Sequence, residues 1–478
     1  MMSSPKRLHP AAMIFTVITS IKQLVYALIP IIILFSNDGF FNYVILGIIG
    51  IAILLIGHSI LSWLRYTYIV EGDQLRIEQG VIIRTNRTIS KNRIQSIDLT
   101  QGIIHRLFGL TKVQIETAGS DRSVDAALSA VTFEEGQYLH NELKHKNETS
   151  AVGEDSGEKP GLATKAISNK RLLIAGSTSG SFGVILSLVA LAFSELESFI
   201  PETVYTSTTR WLSSQAMEFL IVVAFVLFIL LWGLGILGIV IKYGKFTITR
   251  YENELFITRG LLEKKQMTIP IKRIQAVSIK ETLIRQPLGF ATLSVEIAGG
   301  EQENKKVTET LLFPLLKKSD VPAFLSEILP EYQNMPDSYS QVPKRGLIYY
   351  LLRTTIIPIL ALIGVAIALP EWIILPIIVV LVSIALGIAQ YRTASYHLTE
   401  SQLTLRLRLL SKETVMLKTK RIQAVEKSQH ILHRKQDLAN MKFSVLNNFG
   451  GKHYLVNELA LADSDKIVDW YSYRKKEF

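Results

Sequence analysis

Along the chain, long apolar runs alternate with stretches in which apolar and polar residues take turns. Six apolar segments come in three pairs: about Met13–Phe35 with Tyr43–Leu64, Leu172–Phe193 with Ala216–Ile241, and Leu347–Leu369 with Trp372–Ala389. Each has the length a helix needs to cross roughly 30 Å of hydrocarbon. Each pair is followed by strand-like alternation. In the first such stretch, Tyr66–Val70 and Gln74–Glu78 flank the turn signal Gly72-Asp73, and Val81–Ile89 and Ile94–Leu99 follow. A short helical corner is expected at Ile103–Phe108; Lys112–Thr117 then sets Val113 and Ile115 on one face. Another strand is expected near Ser123–Leu128. Thr132-Phe133-Glu134-Glu135 has capping-box spacing and opens a helix to about Leu143. The other stretches close similarly, from Ser319 to about Ile328 and from about Asp463 to Tyr473. The pattern predicts a multi-pass α-helical membrane protein with six helices as three hairpins. It carries three α+β modules, each a small sandwich or partly open barrel of about seven strands plus a C-terminal helix.

The three modules are copies of one another. Asn92-Arg93-Ile94-Gln95-Ser96-Ile97 returns as Lys272-Arg273-Ile274-Gln275-Ala276-Val277 and as Lys420-Arg421-Ile422-Gln423-Ala424-Val425. Laying Arg93 on Arg273 also lays Leu75, Ile77 and Gly80 on Leu255, Ile257 and Gly260 without a gap, and Ala118-Gly119 on Ala298-Gly299. Laying Arg93 on Arg421 puts Gln402-Leu403 under Gln74-Leu75 and His433-Arg434 under His105-Arg106. The repeat divides the chain into hairpin 1 over 1–64, module 1 over 65–146, a linker over 147–169, hairpin 2 over 170–242, module 2 over 243–330, a linker over 331–343, hairpin 3 over 344–391 and module 3 over 392–478. Both linkers are polar, and the first, around Glu154-Asp155-Ser156-Gly157-Glu158-Lys159, reads as flexible.

Charge sets the orientation. Each hairpin is entered through a basic doublet, Lys6-Arg7, Lys170-Arg171 or Lys344-Arg345, and left through Arg65, Lys242 with Lys245, or Arg392. The tips hold Asp38, Glu195, Glu197, Glu202 and Glu371, with Arg210 the single cation. The positive-inside rule therefore places both termini and all three modules in the cytoplasm, with the tips outside. The net charge of +11 then faces anionic lipid, the first expected partner. It sits beside apolar segments and outside any nucleic-acid-binding motif, so no nucleic acid is expected. The apolar run after the basic N-terminus shows no small-residue cleavage site and reads as a retained anchor. With no cysteine in the chain, disulfides, thiolate metal sites and cysteine nucleophiles are excluded.

Catalytic signatures are missing: no phosphate-binding loop, no His-Glu-x-x-His and no Gly-x-Ser-x-Gly. No enzyme, cofactor or metal is expected. Gly233-Leu234-Gly235-Ile236-Leu237-Gly238 lies inside an apolar run with no strand before it, and reads as helix packing, as do Gly176 and Gly180. His430 and His433 lack a third ligand and read as a surface feature. On a regular strand, Arg93 and Gln95 share one face, as do Arg273 with Gln275 and Arg421 with Gln423. The plainer reading is that they tie down neighbouring loops; the functional one is a surface docking modules on one another or on lipid headgroups. Lys22 and Arg353 are cations within apolar segments. They either snorkel to the interface or mark an intramembrane function.

Paired membrane helices followed by Arg-Ile-Gln, by Leu107-Phe108-Gly109-Leu110 and by Glu116-Thr117-Ala118-Gly119 resemble the bacterial pleckstrin-homology-like membrane proteins of the YdbT-like type. The Lys6-Arg7-Leu8-His9-Pro10 start is similar to that family too. The third copy departs at the corner, where Lys435-Gln436-Asp437-Leu438 stands in place of Leu107-Phe108-Gly109-Leu110. The resemblance implies a pleckstrin-homology-like β-sandwich with a C-terminal helix in each module, a bacterial plasma-membrane location and no enzymatic activity. It also implies pairing with a smaller one-unit relative and a link to self-protection against membrane-active bacteriocins. The expected function is a membrane-anchored scaffold protecting the envelope against membrane-active peptides. The alternative is a transporter or export subunit for peptides or lipids, which lacks its own ATPase.

Overall fold

A computed structural model describes residues 5–35, 41–117, 126–144, 161–180, 187, 217–298, 309–447 and 451–473. The first copy runs β1 (Lys6–Arg7), α1 (Ala11–Phe35), α2 (Phe41–Arg65), β2 (Thr67–Glu71), β3 (Gln74–Gln79), β4 (Thr85–Ser90), β5 (Ile94–Gln101), α3 (Ile103–Leu107), β6 (Leu110–Thr117), β7 (Ala126–Thr132) and α4 (Phe133–Lys144). The second runs β8 (Ala163–Ala166), α5 (Asn169–Ser177), α6 (Met217–Tyr243), β9 (Thr247–Arg250), β10 (Glu254–Arg259), β11 (Lys264–Pro270), β12 (Ile274–Glu281), β13 (Phe290–Ile297), β14 (Thr310–Lys317) and α7 (Val321–Ile328). The third runs β15 (Ser340–Gln341), α8 (Leu347–Ala368), α9 (Ile374–Thr393), β16 (Ser395–Leu398), β17 (Gln402–Arg408), β18 (Lys412–Lys418), β19 (Ile422–Ser428), α10 (Ile431–Arg434), β20 (Leu438–Val445), β21 (Lys452–Ala460) and α11 (Leu461–Ser472).

Four helical stretches among the described residues are long and apolar enough to cross a membrane: Leu46–Arg65, Ile221–Tyr243, Lys344–Ala368 and Ile374–Thr393. Ala11–Ala27 of α1 is a shorter apolar stretch. Helix α1 packs on α2, α5 on α6, and α8 on α9. The expected helix Leu172–Phe193 continues past α5 into residues mostly outside the described ones. Of the small residues expected to let helices approach, Gly176 does so: a Cβ there would lie 3.1 Å from Ile236, whereas Gly180, Gly233 and Gly238 face open space.

The chain forms two compact units, one of Met1–Pro160 with Leu262–Pro270 and one of Gly161–Leu261 with Ile271–Phe478. In unit one, β1-β2-β3-β4 make one antiparallel sheet, and β7-β6-β5 is extended on its β5 edge by β11. Its core gathers Leu75, Ile77, Val113, Ile115, Leu128 and Leu139, the inward faces of the alternating strands and one face of α4. Thr132 Oγ1 accepts a hydrogen bond from Glu135 N at 3.3 Å, one half of the expected capping box, while the Glu135 carboxylate reaches Lys6 instead. In unit two, β8, β9 and β10 pair in turn, β19-β20-β21 form a separate sheet, and seven strands run β14-β13-β12-β18-β17-β16-β15. Leu403, Leu405, Val415, Phe443 and Ile467 fill its core around the third copy.

Several sequence expectations change. The strand expected over Val81–Ile89 begins only at Thr85, because Gly80 adopts φ 110 and turns the chain. The stretches expected as linkers supply β8, a 3₁₀ turn at Pro330–Tyr332 and β15. With β1, these short strands precede their helix pairs, so three of the four sheets hold chain from both sides of a helix pair, and β19-β20-β21 does not. The modules are also joined edge to edge, since β5 pairs with a strand of the second copy and β12 with β18 of the third. A polar chain ahead of a hairpin looks like a linker because edge strands of two to four residues are too short to show a periodicity.

Candidate functional site

The Arg-Ile-Gln signature forms a 3₁₀ turn running into a strand with a bulge. Arg93, Arg273 and Arg421 each close such a turn, and the register slips between Ile94 and Ser96, Ile274 and Ala276, and Ile422 and Ala424. The Gln therefore occupies the bulge, and the Arg/Gln alternation expected of a regular strand is broken. Arg273 Nε donates to Ala298 O at 2.7 Å, and Gln275, buried, donates to Arg273 O at 3.0 Å. Gln423 repeats the second bond to Arg421 O at 3.4 Å. Arg93 is exposed and Gln95 half-buried.

The corner after this strand recurs more tellingly. Gly109 and Gly289 take φ 64 and 69, and Asp437 takes their place at φ 47, a conformation Asp tolerates better than most residues. The corner thus survives in the third copy despite the sequence change. Phe133 N, Lys318 N and Leu461 N donate to the carbonyls of Gly109, Gly289 and Asp437 at 3.0, 2.9 and 2.9 Å.

One side chain of each corner clamps the entering helix of its hairpin. His105 lies 2.9 Å from Ser129 O and stacks on Phe15 of α1, ring centroids 3.9 Å apart. Arg285, its repeat equivalent, donates to Pro314 O, the equivalent of Ser129 O, and to Ala175 O and Thr178 Oγ1 at the end of α5, both at 3.0 Å. His433 meets Tyr349 of α8 edge-on, centroids 4.7 Å apart. His433 is buried, not the surface feature expected; burial, with His430 and Arg353 nearby, lowers its pKa and keeps it neutral at pH 7. The in-register pair His105/His433 was the available signal, hidden because the second copy carries Arg.

Arg353, on α8, ion-pairs with the fully buried Glu458 of β21. Glu458 sits in a bulge at φ 58, where the other copies carry Ala130 and Leu315. Burial raises its carboxyl pKa and Arg353 counters. Beside it, Tyr350 Oη donates to Asn457 O at 3.0 Å. Arg353 is thus spent on holding the helix to its module. Lys22 is exposed on α1, 6.0 Å from the Tyr26 ring centroid.

Around the helix ends the surface is apolar in all three copies. The corners expose Ile103, Leu107 and Phe108, then Leu283, Ile284 and Leu288, then Ile431 and Leu432. The loop after the third strand of each copy exposes Ile82 (90%), Leu262, and Leu409 (80%) with Leu410. Leu261 N donates to Ile241 O of α6 at 2.9 Å, and Gln390 of α9 donates to Leu409 O at 3.0 Å, so these loops adjoin helix termini. Where α9 ends, a cavity of about 320 Å³ is lined by Arg392, Arg406, Lys412, Gln286, Asp337 and Tyr339, among others. Arg406 stacks on Tyr339 at 3.4 Å from the ring centroid, its Nε buried without a hydrogen-bond partner. Lys412 is held by Glu281 at 3.2 Å, so Arg392 and Arg406 against Asp337 are what suit the cavity to an anion.

A second polar cluster lies along the seam between the second and third copies. Glu296, Glu309 and Glu413 face Lys280 and Lys452: Lys280 pairs with Glu309, Lys452 lies 3.1 Å from Glu309 and 3.8 Å from Glu296, and Lys280 4.0 Å from Glu413. Asn447 donates to Glu296 at 2.8 Å. Burial, reinforced by Glu309, pushes the Glu296 carboxyl up to about 8, so it is largely protonated at neutral pH. Among the described residues no group of three His, Cys, Asp or Glu is arranged to hold a metal ion.

A family model described as a bacterial PH domain matches the chain three times, over residues 16–147, 188–332 and 353–475. The chain is also 32% identical over 495 aligned residues, covering 100% of both proteins, to the UPF0699 transmembrane protein YdbT of Bacillus subtilis (strain 168).

Proposed function

The chain belongs to the bacterial PH domain family, and on that premise we propose that it is a non-enzymatic, membrane-anchored scaffold whose modules rest on the lipid interface. The observation that carries this reading is the apolar collar: the same two loops expose Leu, Ile or Phe in every copy, and in the second and third copies the third-strand loop is hydrogen-bonded to a helix end. Exposed apolar patches of this kind mark interaction surfaces, and continuity with apolar helices favours lipid. The basic cavity at the end of α9 is the place for an anionic headgroup. In this reading six helices cross as three hairpins, with termini and modules on the cytoplasmic side, as the basic doublets favour.

The scaffold's task, in the same reading, is protection of the envelope against membrane-active peptides, in a complex with a smaller one-unit relative. Expressing the chain with and without such a relative in a peptide-sensitive host should lower killing. Unchanged inhibitory concentrations across several such peptides would refute the protective role. Transport is not carried forward, because Arg353, one of the two cations within apolar segments, has a packing partner in Glu458.

A further inference from the structure

The two internal seams share one register. In the first, Gln101, Thr100 and Leu99 of β5 lie opposite Lys264, Lys265 and Gln266 of β11. Continuing that register sets Ser96 opposite Ile269. Their repeat equivalents are Ala276 and Leu417, and these are paired in the second seam, followed by Val277 with Met416 through to Glu281 with Lys412. The outer edge of each Arg-Ile-Gln strand is thus a socket for the fourth strand of another copy. In the third copy that socket stands open: among the described residues β19 pairs only with β20, and Ala424, Glu426, Lys427 and Ser428 are exposed, where the equivalents Ala276, Ser278 and Ile279 of β12 are buried under β18. Among the described residues the matching plug is open as well. Strand β4, the repeat equivalent of β11 and β18, is the last of its sheet and exposed from Thr85 to Thr88.

We propose that β19 of one chain pairs antiparallel with β4 of a second copy in the register of the internal seams. That register sets Ala424 opposite Ile89, Val425 opposite Thr88, Glu426 opposite Arg87, Lys427 opposite Asn86 and Ser428 opposite Thr85. One row joins opposite charges and none joins like ones, as in the second seam, where Lys280 faces Glu413 and Glu281 faces Lys412. An unpaired strand edge is a template for another strand, and here the chain twice displays which strand fits it. Because plug and socket lie on different strands, the contact is head-to-tail and leaves a fresh plug and socket at the ends of the array.

The test uses the cysteine-free full chain in two differently tagged forms, Thr88→Cys and Val425→Cys, co-reconstituted in lipid vesicles and mildly oxidised. Opposed strand positions lie within disulfide reach. The expected product is a disulfide-linked pair carrying both tags, several-fold more abundant than with either variant alone or with the out-of-register pair Thr88→Cys and Ser428→Cys. Adding Arg87→Glu to the first form should lower the yield several-fold, and adding Glu426→Arg to the second should restore it; Glu426 gives up a surface ion pair with Lys442, so each variant is first shown to keep the parent's thermal midpoint. Mixed-tag yield no higher than the out-of-register control, or linkage formed only when both cysteines share one chain, overturns the proposal.

Discussion

At the scale of single residues, the third copy shows how a buried charge is tolerated. Glu458 occupies a bulge filled by Ala130 and Leu315 in its sister copies, and Arg353 offsets its charge from the adjoining helix. Removing only the arginine strands a carboxylate without its strongest partner. Arg353→Leu should therefore lower the thermal midpoint in detergent, by a loss of about 1–3 kcal/mol. The double variant Arg353→Leu with Glu458→Leu should recover most of it, since Leu315 already fits the equivalent space. A double variant no more stable than the single one would refute the pairing as the reason for Glu458. Arg353 also marks where reading the sequence stops. Its position inside an apolar run is visible, but its partner lies more than a hundred residues away on a strand with no internal sign of a bulge.

At the scale of elements, the proposed contact of the modules with lipid rests on the corners and third-strand loops. Apolar residues at loop tips are invisible to periodicity, because a loop has no period, and they become conspicuous only when the fold leaves Ile82 and Leu409 outside the core. Burying one such side chain in the interface contributes up to about 1.5–3 kcal/mol, and the repetition multiplies the effect. Single-cysteine variants Ile82→Cys, Leu283→Cys and Ile431→Cys, carrying an environment-sensitive dye in proteoliposomes, should emit to the blue. They should be quenched by lipids brominated on the acyl chain and shielded from aqueous iodide. The opposite quenching pattern would remove the collar from the membrane. The strands themselves were legible: β2, β3, β5 and β6 lie within a few residues of where alternation puts them, because their inward faces are packed and their outward faces are not.

At the scale of the molecule, copies are joined through strand seams that no repeat alignment reveals, since pairing across a seam follows edge geometry and not side-chain pattern. The seam between the second and third copies is also the part of the molecule whose strength should follow pH. Glu296 has a folded-state pKa raised to about 8, so the folded state holds a proton that the unfolded chain releases at its ordinary value of 4.5. Its favourable contribution is complete below that value and is lost as pH rises through 8. Glu296→Gln, which keeps the shape without the charge, should match the parent near pH 4.5 and gain in thermal midpoint over it by pH 8. A constant difference across that interval would mean that Glu296 is ionised in the fold. The short strands β1, β8 and β15 carry a different consequence, for the order in which the protein is made. Each leaves the ribosome before the helix pair that separates it from the rest of its sheet, and β5 emerges a whole hairpin ahead of β11. None of these three sheets can close until the chain beyond its helix pair returns to the strand made first; if the pair crosses the membrane as proposed, failed insertion leaves bare strand edges on the nascent chain. Such edges are what chaperones and proteases bind, which makes correct insertion a condition for escaping degradation.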